Sequence, residues 1–221
     1  MNEKTSATIE DYLGSLFVMQ RDGTPVVGVR LAELLGVSPP TVTNTLKRMA
    51  RDGLVTFSAD QGTLLTDKGM ELANSVMQRH ILTEWMLMRL LQVPWSQIHR
   101  EAHTLEHGVS KLVMEQMRAS LGNPQTCPHG NPLPGQEQAA GLWKPILEAA
   151  PGTQVTIRRI HETGEQQPDL LQFLEKNGLV PGAVIDVLEL LPFNETLDLR
   201  VNQRTLTLGF SAARYIFVES V

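Results

Sequence analysis

The chain has 221 residues, 42% hydrophobic and 19% charged, enough apolar material for two or three small domains that each bury a core. No apolar run reaches the roughly 20 residues that span a bilayer, and the opening MNEKTSATIEDY lacks the apolar centre of a secretory leader, so a cytoplasmic protein is expected. One cysteine excludes an intramolecular disulfide and a thiolate-only metal cage, and a net charge of -5 means that any DNA binding must draw on a local basic face, on bound cations, or on both.

Over residues 8–21, Ile9, Tyr12, Leu13, Leu16 and Phe17 follow the spacing of an amphipathic helix, and Asp22-Gly23-Thr24-Pro25 stops it. A short helix, Leu31-Ala32-Glu33-Leu34-Leu35, ends at Gly36, which accepts a left-handed cap. Ser38 suits an N-cap, Pro39 and Pro40 suit a first turn that needs no N–H, and residues 41–51 continue a third helix. Val37, Val42, Leu46 and Met49 form its inward face, leaving hydroxyl and amide groups outward. Behind it, Val55-Thr56-Phe57-Ser58 and Thr63-Leu64-Leu65-Thr66 flank Ala59-Asp60-Gln61-Gly62 as a β-hairpin. This is a winged helix-turn-helix, whose third helix enters the major groove of double-stranded DNA. Ser38, Pro40, Thr41, Thr43 and Asn44 are expected near the DNA, with Lys47, Arg48 and Arg51 available for phosphates. The alternative is a helix pair and hairpin that only packs a small domain or mediates protein contacts.

From Asp67 a long helix is marked by Leu72, Val76, His80, Ile81, Glu84, Trp85, Met88 and Leu91, until Val93-Pro94-Trp95 breaks it. Further helices are expected over residues 96–109 and 111–121. Trp85, Met86, Leu87, Leu90 and Leu91 are more apolar than one buried face requires, which points to a homodimer whose two recognition helices meet successive major grooves. Four of the six histidines fall between His80 and His107. In His99-x-x-x-His103-x-x-Glu106-His107, helical neighbours lie about 5–6 Å apart at Cβ, so His103, Glu106 and His107 can converge on one divalent ion. His80 and Glu84, four apart, can join His99 in a second group; for that pair a solvated ion pair is the alternative. Cys127 and His129 are read as ordinary Pro- and Gly-rich loop and not as ligands.

After Pro151-Gly152, strands are expected over residues 155–160, 183–191, 197–201, 205–208 and 215–219, with one helix over residues 169–176. Short strands with one helix fit a small barrel, without a catalytic signature.

Thr8-Ile9-Glu10-Asp11-Tyr12-Leu13, Ser38-x-Pro40-Thr41-Val42, Arg51-Asp52-Gly53-Leu54-Val55, His80, Glu84 and the His99 to His107 run together resemble the diphtheria toxin repressor and manganese transport regulator family. The loop Cys127-Pro128-His129-Gly130-Asn131-Pro132-Leu133-Pro134 is similar to that family's linker, and Gly178-Leu179-Val180-Pro181-Gly182 to the turn of its SH3-like domain. The resemblance spans the chain. It implies a mainly α protein with a small β domain: a winged helix-turn-helix over residues 1–73, a helical dimerisation and metal-binding domain over 74–140, a linker over 141–152, and an SH3-like β-barrel over 153–221. It also implies that Asp11 completes a primary site with His103, Glu106 and His107, bridging two domains. His80, Glu84 and His99 become an ancillary site, to which Gln167 and Asp169 are the C-terminal candidates. Gly14 departs from the short manganese-specific members, which carry a second N-terminal carboxylate there.

Iron-sensing members place a methionine at the position of Asp11 and a cysteine at that of His103. With both sulfur donors replaced, Mn(II) is the expected ion, Fe(II) the alternative, and Co, Ni, Cd and Zn the substitutes expected in vitro. The expected function is a metal-activated repressor of metal-uptake genes that binds palindromic operator DNA as a dimer. A metallohydrolase on the same cluster is the rival from another class, weakened because His99 to His107 does not form H-E-x-x-H; a metal-independent DNA-binding protein is the third.

Overall fold

The computed structural model describes residues 5–23 and 25–221; residues 1–4, part of the segment read for a leader, and Thr24 of the turn after the first helix lie outside the described residues. The chain forms two compact units, Met1–Arg79 and His80–Val221. The architecture is a winged helix-turn-helix, a helical segment and a C-terminal SH3-like sheet.

In the first unit, α1 (Ala7–Arg21), α2 (Gly28–Leu35) and α3 (Pro39–Arg51) precede an antiparallel hairpin of β1 (Val55–Ser58) and β2 (Gly62–Leu65), in which Val55 faces Leu65. The helical spacing buries Ile9, Tyr12, Leu13, Leu16 and Phe17 of α1 in one core with Leu31, Val42, Leu46, Met49 and Leu65. Helix α2 begins three residues earlier than its apolar pattern suggests, because its first turn, Gly28-Val29-Arg30, is exposed and leaves no inward apolar residue. Two caps set the turn between α2 and α3. Gly36 takes φ 63° and ψ 30°, a left-handed conformation that costs glycine little. Ser38 Oγ accepts the Thr41 N–H at 3.4 Å. The wing is tied down by Val26, whose N–H donates to the Gln61 carbonyl and whose carbonyl accepts the Thr63 N–H, both at 3.2 Å. Gly62 permits this approach, since a Cβ there would stand 2.1 Å from the Val26 carbonyl oxygen.

Helix α4 (Asp67–Arg89) starts behind the wing and contributes its C-terminal part to the second unit. There α5 (Ile98–Leu105) ends sooner than expected: residues 106–108 tighten into a single 3-10 turn, followed by α6 (Lys111–Ser120). Glu106 and His107 thus sit on that turn and not on an α-helix. Six strands follow in the antiparallel order β3-β8-β4-β5-β6-β7: β3 (Lys144–Pro145), β4 (Gln154–Ile160), β5 (Val184–Leu191), β6 (Thr196–Val201), β7 (Arg204–Gly209) and β8 (Ile216–Ser220). Helices α7 (Glu162–Glu165) and α8 (Pro168–Lys176) connect β4 to β5, and α9 (Phe210–Ala213) precedes β8. β3, α7 and α9 are too short to leave a periodic pattern in sequence.

Leu87, Trp95, Ile98 and Ala102 belong to the same buried cluster as Ile157, Ile160, Val187, Leu199 and Val218, so the helical segment and the sheet share one core. The loop after α6 is fastened from both sides. Trp85 Nε1–H donates to Thr126 O at 2.6 Å and Trp95 Nε1–H to Pro128 O at 3.0 Å, while the Ile160 N–H donates to His129 O at 2.8 Å. Gly130, at φ 91°, is where the loop meets β4; a Cβ there would lie 1.9 Å from Arg158 O. Among the described residues, no helix is long and apolar enough to cross a membrane.

Candidate metal centres and the exposed face of the third helix

Three helices of the second unit converge on one buried group. α4 places His80 and Glu84 one turn apart, α5 supplies His99, and α7 supplies Glu165. His80 Nε2 and His99 Nδ1 lie 3.0 Å from each other and from Glu84 Oε1, and Glu165 Oε2 is 3.0 Å from His99 Nδ1. Cys127 and His129 stand against the same carboxylates: His129 Nδ1 is 3.6 Å from both Glu84 Oε1 and Glu165 Oε1, and the Cys127 thiol donates to Glu165 Oε1 at 3.7 Å. Among the described residues, no hydrogen-bond partner lies within 3.5 Å of the buried Glu84 Oε2 or His129 Nδ1. Buried polar atoms are seldom left that way, and a cation would satisfy both. Imidazole and carboxylate donors suit divalent first-row ions, so the residues fit such an ion.

A second group lies at the end of α5. His103 Nδ1 is 3.3 Å and His107 Nε2 3.8 Å from Glu106 Oε1. The other Glu106 oxygen faces inward, with Oε2 2.7 Å from His80 Nδ1. One imidazole, that of His80, therefore touches both groups. Asp11 lies half-buried on α1 in the first unit.

At the histidines and glutamates of these groups, charge pairing overrides desolvation. Burial alone would lower the His80 and His99 pKa values, but Glu84 and Glu106 around His80, and Glu165 and Glu84 around His99, hold both imidazoliums; His99 is pushed up to about 9 and His80 well above its usual value. Burial would raise the Glu84 and Glu106 pKa values, yet His80 and His129 hold Glu84 well below the carboxylate range, and hydrogen bonds with His103 and His80 bring Glu106 down to about 2. Burial, reinforced by the charges of Glu165, Glu84 and Glu162, pushes the Cys127 thiol up. Without a metal, protons on His80 and His99 thus supply the positive charge among these carboxylates.

The structure brings together His80, Glu84 and His99, and separately His103, Glu106 and His107. It does not bring Gln167 and Asp169 to the buried group: both are exposed at the start of α8. The carboxylate at the C-terminal end of that group is Glu165, and sequence reasoning missed it together with Cys127 and His129. The only local signal was His161-Glu162-Thr163-Gly164-Glu165 directly after a strand, and a four-residue helix has no periodicity to orient its side chains.

On α3, Pro40, Thr41, Thr43, Asn44, Lys47, Arg48 and Arg51 are exposed, as is the cap Ser38, while Val42, Leu46 and Met49 are buried. All eight residues expected near DNA therefore lie on the solvent side. Among the described residues, Arg48 and Arg51 pair with Asp52, at 4.0 and 3.6 Å, a loose exposed pairing that leaves them accessible.

Three family models match the chain. The N-terminal DNA binding domain of iron dependent repressors matches residues 4–63, their metal binding and dimerisation domain residues 66–135, and the FeoA domain residues 144–220. The iron-dependent repressor IdeR of Mycobacterium tuberculosis is 33% identical over the whole of both chains. The diphtheria toxin repressor of Corynebacterium jeikeium is 32% identical, covering 81% of this chain and 84% of its own length. A solved manganese-dependent transcriptional repressor in complex with manganese has a TM-score of 0.85 at 31% identity, over 96% of this chain and 100% of that one.

Proposed function

The chain belongs to the diphtheria toxin repressor family of metal-dependent transcriptional repressors, and from that premise we propose that it is a cytoplasmic homodimer that binds palindromic operator DNA when Mn(II) is plentiful and represses metal-uptake genes. The family is one of repressors and not of enzymes, which answers the hydrolase alternative. The observation that carries the reading is the pair of imidazole and carboxylate groups joined through His80, one of them holding buried polar atoms that a cation would satisfy.

Asp11, His103, Glu106 and His107 would hold the primary ion, and His80, Glu84, His99 and Glu165 the ancillary one. When bound, the ion supplies positive charge and a fixed set of bonds. His103, Glu106 and His107 would hold their share from the helical segment, and Asp11 would add the carboxylate that the family resemblance assigns to the primary site. The bound conformer is the one in which both α3 helices meet the operator half-sites. A shift from 1:99 to 99:1 in favour of it requires about 5.5 kcal/mol of differential affinity. The ions also offset carboxylate charge, which helps a chain of net charge -5 approach phosphates.

The homodimer reading is supported by Leu90, Leu91, Leu105, Leu112 and Val113, exposed apolar residues around the ends of α4, α5 and α6. A second copy would cover them. Mn(II) is favoured by oxygen and imidazole donors, with no sulfur in the primary set. Fe(II) is the second reading, favoured by the Cys127 thiol beside Glu165 and by the full-length relative named as iron-dependent.

Fluorescence anisotropy on a duplex from upstream of this protein's own gene or of a manganese transporter gene tests the reading, in chelator and then with Mn(II), Fe(II) or Zn(II). Binding with Mn(II) and none in chelator is expected. Tight binding with Fe(II) and none with Mn(II) would move the assignment to iron, and equal binding in chelator would reduce the histidine groups to structure.

A further inference from the structure

The loop Cys127-Pro128-His129-Gly130-Asn131 is pinned between α4 and β4, and its Asn131 is buried beside the ancillary group. Both donors and one acceptor lone pair of that amide are engaged. Nδ2 donates to Ile160 O at 2.7 Å and to Glu165 Oε1, and Oδ1 accepts from Arg159 Nε–H. Arg159 is itself buried and donates from Nη2 to Glu162 Oε2 at 2.7 Å. Because Asn131 and the Cys127 thiol both occupy Glu165 Oε1, it is Oε2 that faces His99 at 3.0 Å. The Asn131 backbone is fixed too: its carbonyl accepts the Cys127 N–H at 2.7 Å and its N–H donates to Cys127 Sγ at 3.3 Å.

We propose that Asn131, oriented by Arg159, is a positioning residue that turns the Glu165 carboxylate toward His80, Glu84 and His99, so that the linker loop and β4 together set the ancillary group's affinity for a divalent ion. The inference rests on the assignment of those residues as an ion-binding group. Arg159 is needed because a primary amide can rotate by half a turn. That rotation would place Oδ1 against the Glu165 carboxylate, acceptor against acceptor. Arg159 offers Oδ1 a donor and so selects the orientation in which Nδ2 meets Glu165. Partners that orient ligands in this way typically change metal affinity 10- to 100-fold.

Co(II) titration of the full-length protein, followed by calorimetry and by the visible absorption of the bound ion, tests this with Asn131→Ala, Arg159→Lys, Glu165→Ala and the Asn131→Ala/Glu165→Ala double variant. Asn131→Ala should weaken one class of Co(II) site about tenfold or more and shift its spectrum toward that of Glu165→Ala. Arg159→Lys keeps the charge facing Glu162 and should shift both in the same direction by less. In the Glu165→Ala background, removal of Asn131 should change neither affinity nor spectrum, because the residue acts through Glu165. A purely structural role would lower affinity equally in both backgrounds, and that result overturns the proposal, as does an unaltered titration of Asn131→Ala. If Glu165→Ala itself leaves Co(II) binding unaltered, the ancillary assignment falls with it; a clear Glu165→Ala effect beside a silent Asn131→Ala overturns the positioning role alone. Should Asn131→Ala fail to fold, Arg159→Lys carries the same comparison, and an unaltered titration of it then overturns the role.

Discussion

The two donor groups of the second unit share their chemistry and differ in enclosure. His103, Glu106 and His107 sit at the end of α5 and on a 3-10 turn, with the His103 side chain 55% exposed. His80, Glu84, His99 and Glu165 come from three helices, and none of their side chains is more than 20% exposed. A closed group can hold its ion with donors from one unit and stiffen that unit. An open group needs a further donor, and in the proposed function that donor is Asp11, on the other unit. In the proposed function enclosure would separate an ion that supports the scaffold from an ion that signals, and His80, hydrogen-bonded to both Glu106 and Glu84, is where the two groups touch.

The largest break in that comparison is expected from Glu106→Ala, which removes the carboxylate of the open group. All metal stimulation of DNA binding should vanish in anisotropy while sedimentation still reports the dimer. Glu84→Ala should cost one bound ion per chain in equilibrium dialysis and weaken the stimulation without abolishing it. His80→Ala should weaken ion binding at both groups, so a titration in which only one class of site changes would remove its joining role.

A smaller effect sharpens the electrostatic half of the comparison. His99 is raised from 6.5 to about 9 by folding, so its contribution to stability is full below pH 6.5 and is lost as pH rises through 9. Glu106 is lowered from 4.5 to about 2, so its contribution is full above pH 4.5 and is lost as pH falls through 2. Thermal unfolding in chelator should therefore show a stability maximum between these limits, declining toward pH 9. Loading with Mn(II) near neutral pH should release protons, because the ion replaces those on His80 and His99, and calorimetry in buffers of different ionisation enthalpy checks it.

The smallest effect lies on α3. Lys47→Ala should weaken binding evenly across DNA sequences and reduce the slope of log affinity against log salt by about 1. A change confined to one operator sequence would place Lys47 at a base edge.

What was legible in the sequence was local. Each helix of the winged domain announces itself through apolar residues three and four apart, and Gly36 and Ser38 mark their own caps, so the exposed side of α3 follows from its buried side. His80 with Glu84, and His103 with Glu106 and His107, are likewise close in sequence, and helical spacing brings them together even where the last turn tightens. Glu165 is different. It reaches His99 across more than sixty residues through a short helix whose placement depends on β4, Asn131 and Arg159. Gln167 and Asp169 are its near neighbours in sequence, but beyond α7 the chain turns outward into α8 and exposes both. Cys127 and His129 were read as ordinary loop because Pro and Gly surround them, and the tryptophan hydrogen bonds that draw that loop inward leave no trace in composition.

In the proposed function, ions held by these groups license DNA binding, and Asp11 carries the signal to the DNA-reading unit. Mn(II)-dependent anisotropy on operator DNA, for the unaltered protein and for Asp11→Ala and with the oligomeric state measured alongside, tests this coupling. Tight Mn(II)-dependent binding is expected of the unaltered protein, and of the variant an intact dimer without metal stimulation. Undiminished Mn(II) stimulation in Asp11→Ala would contradict it.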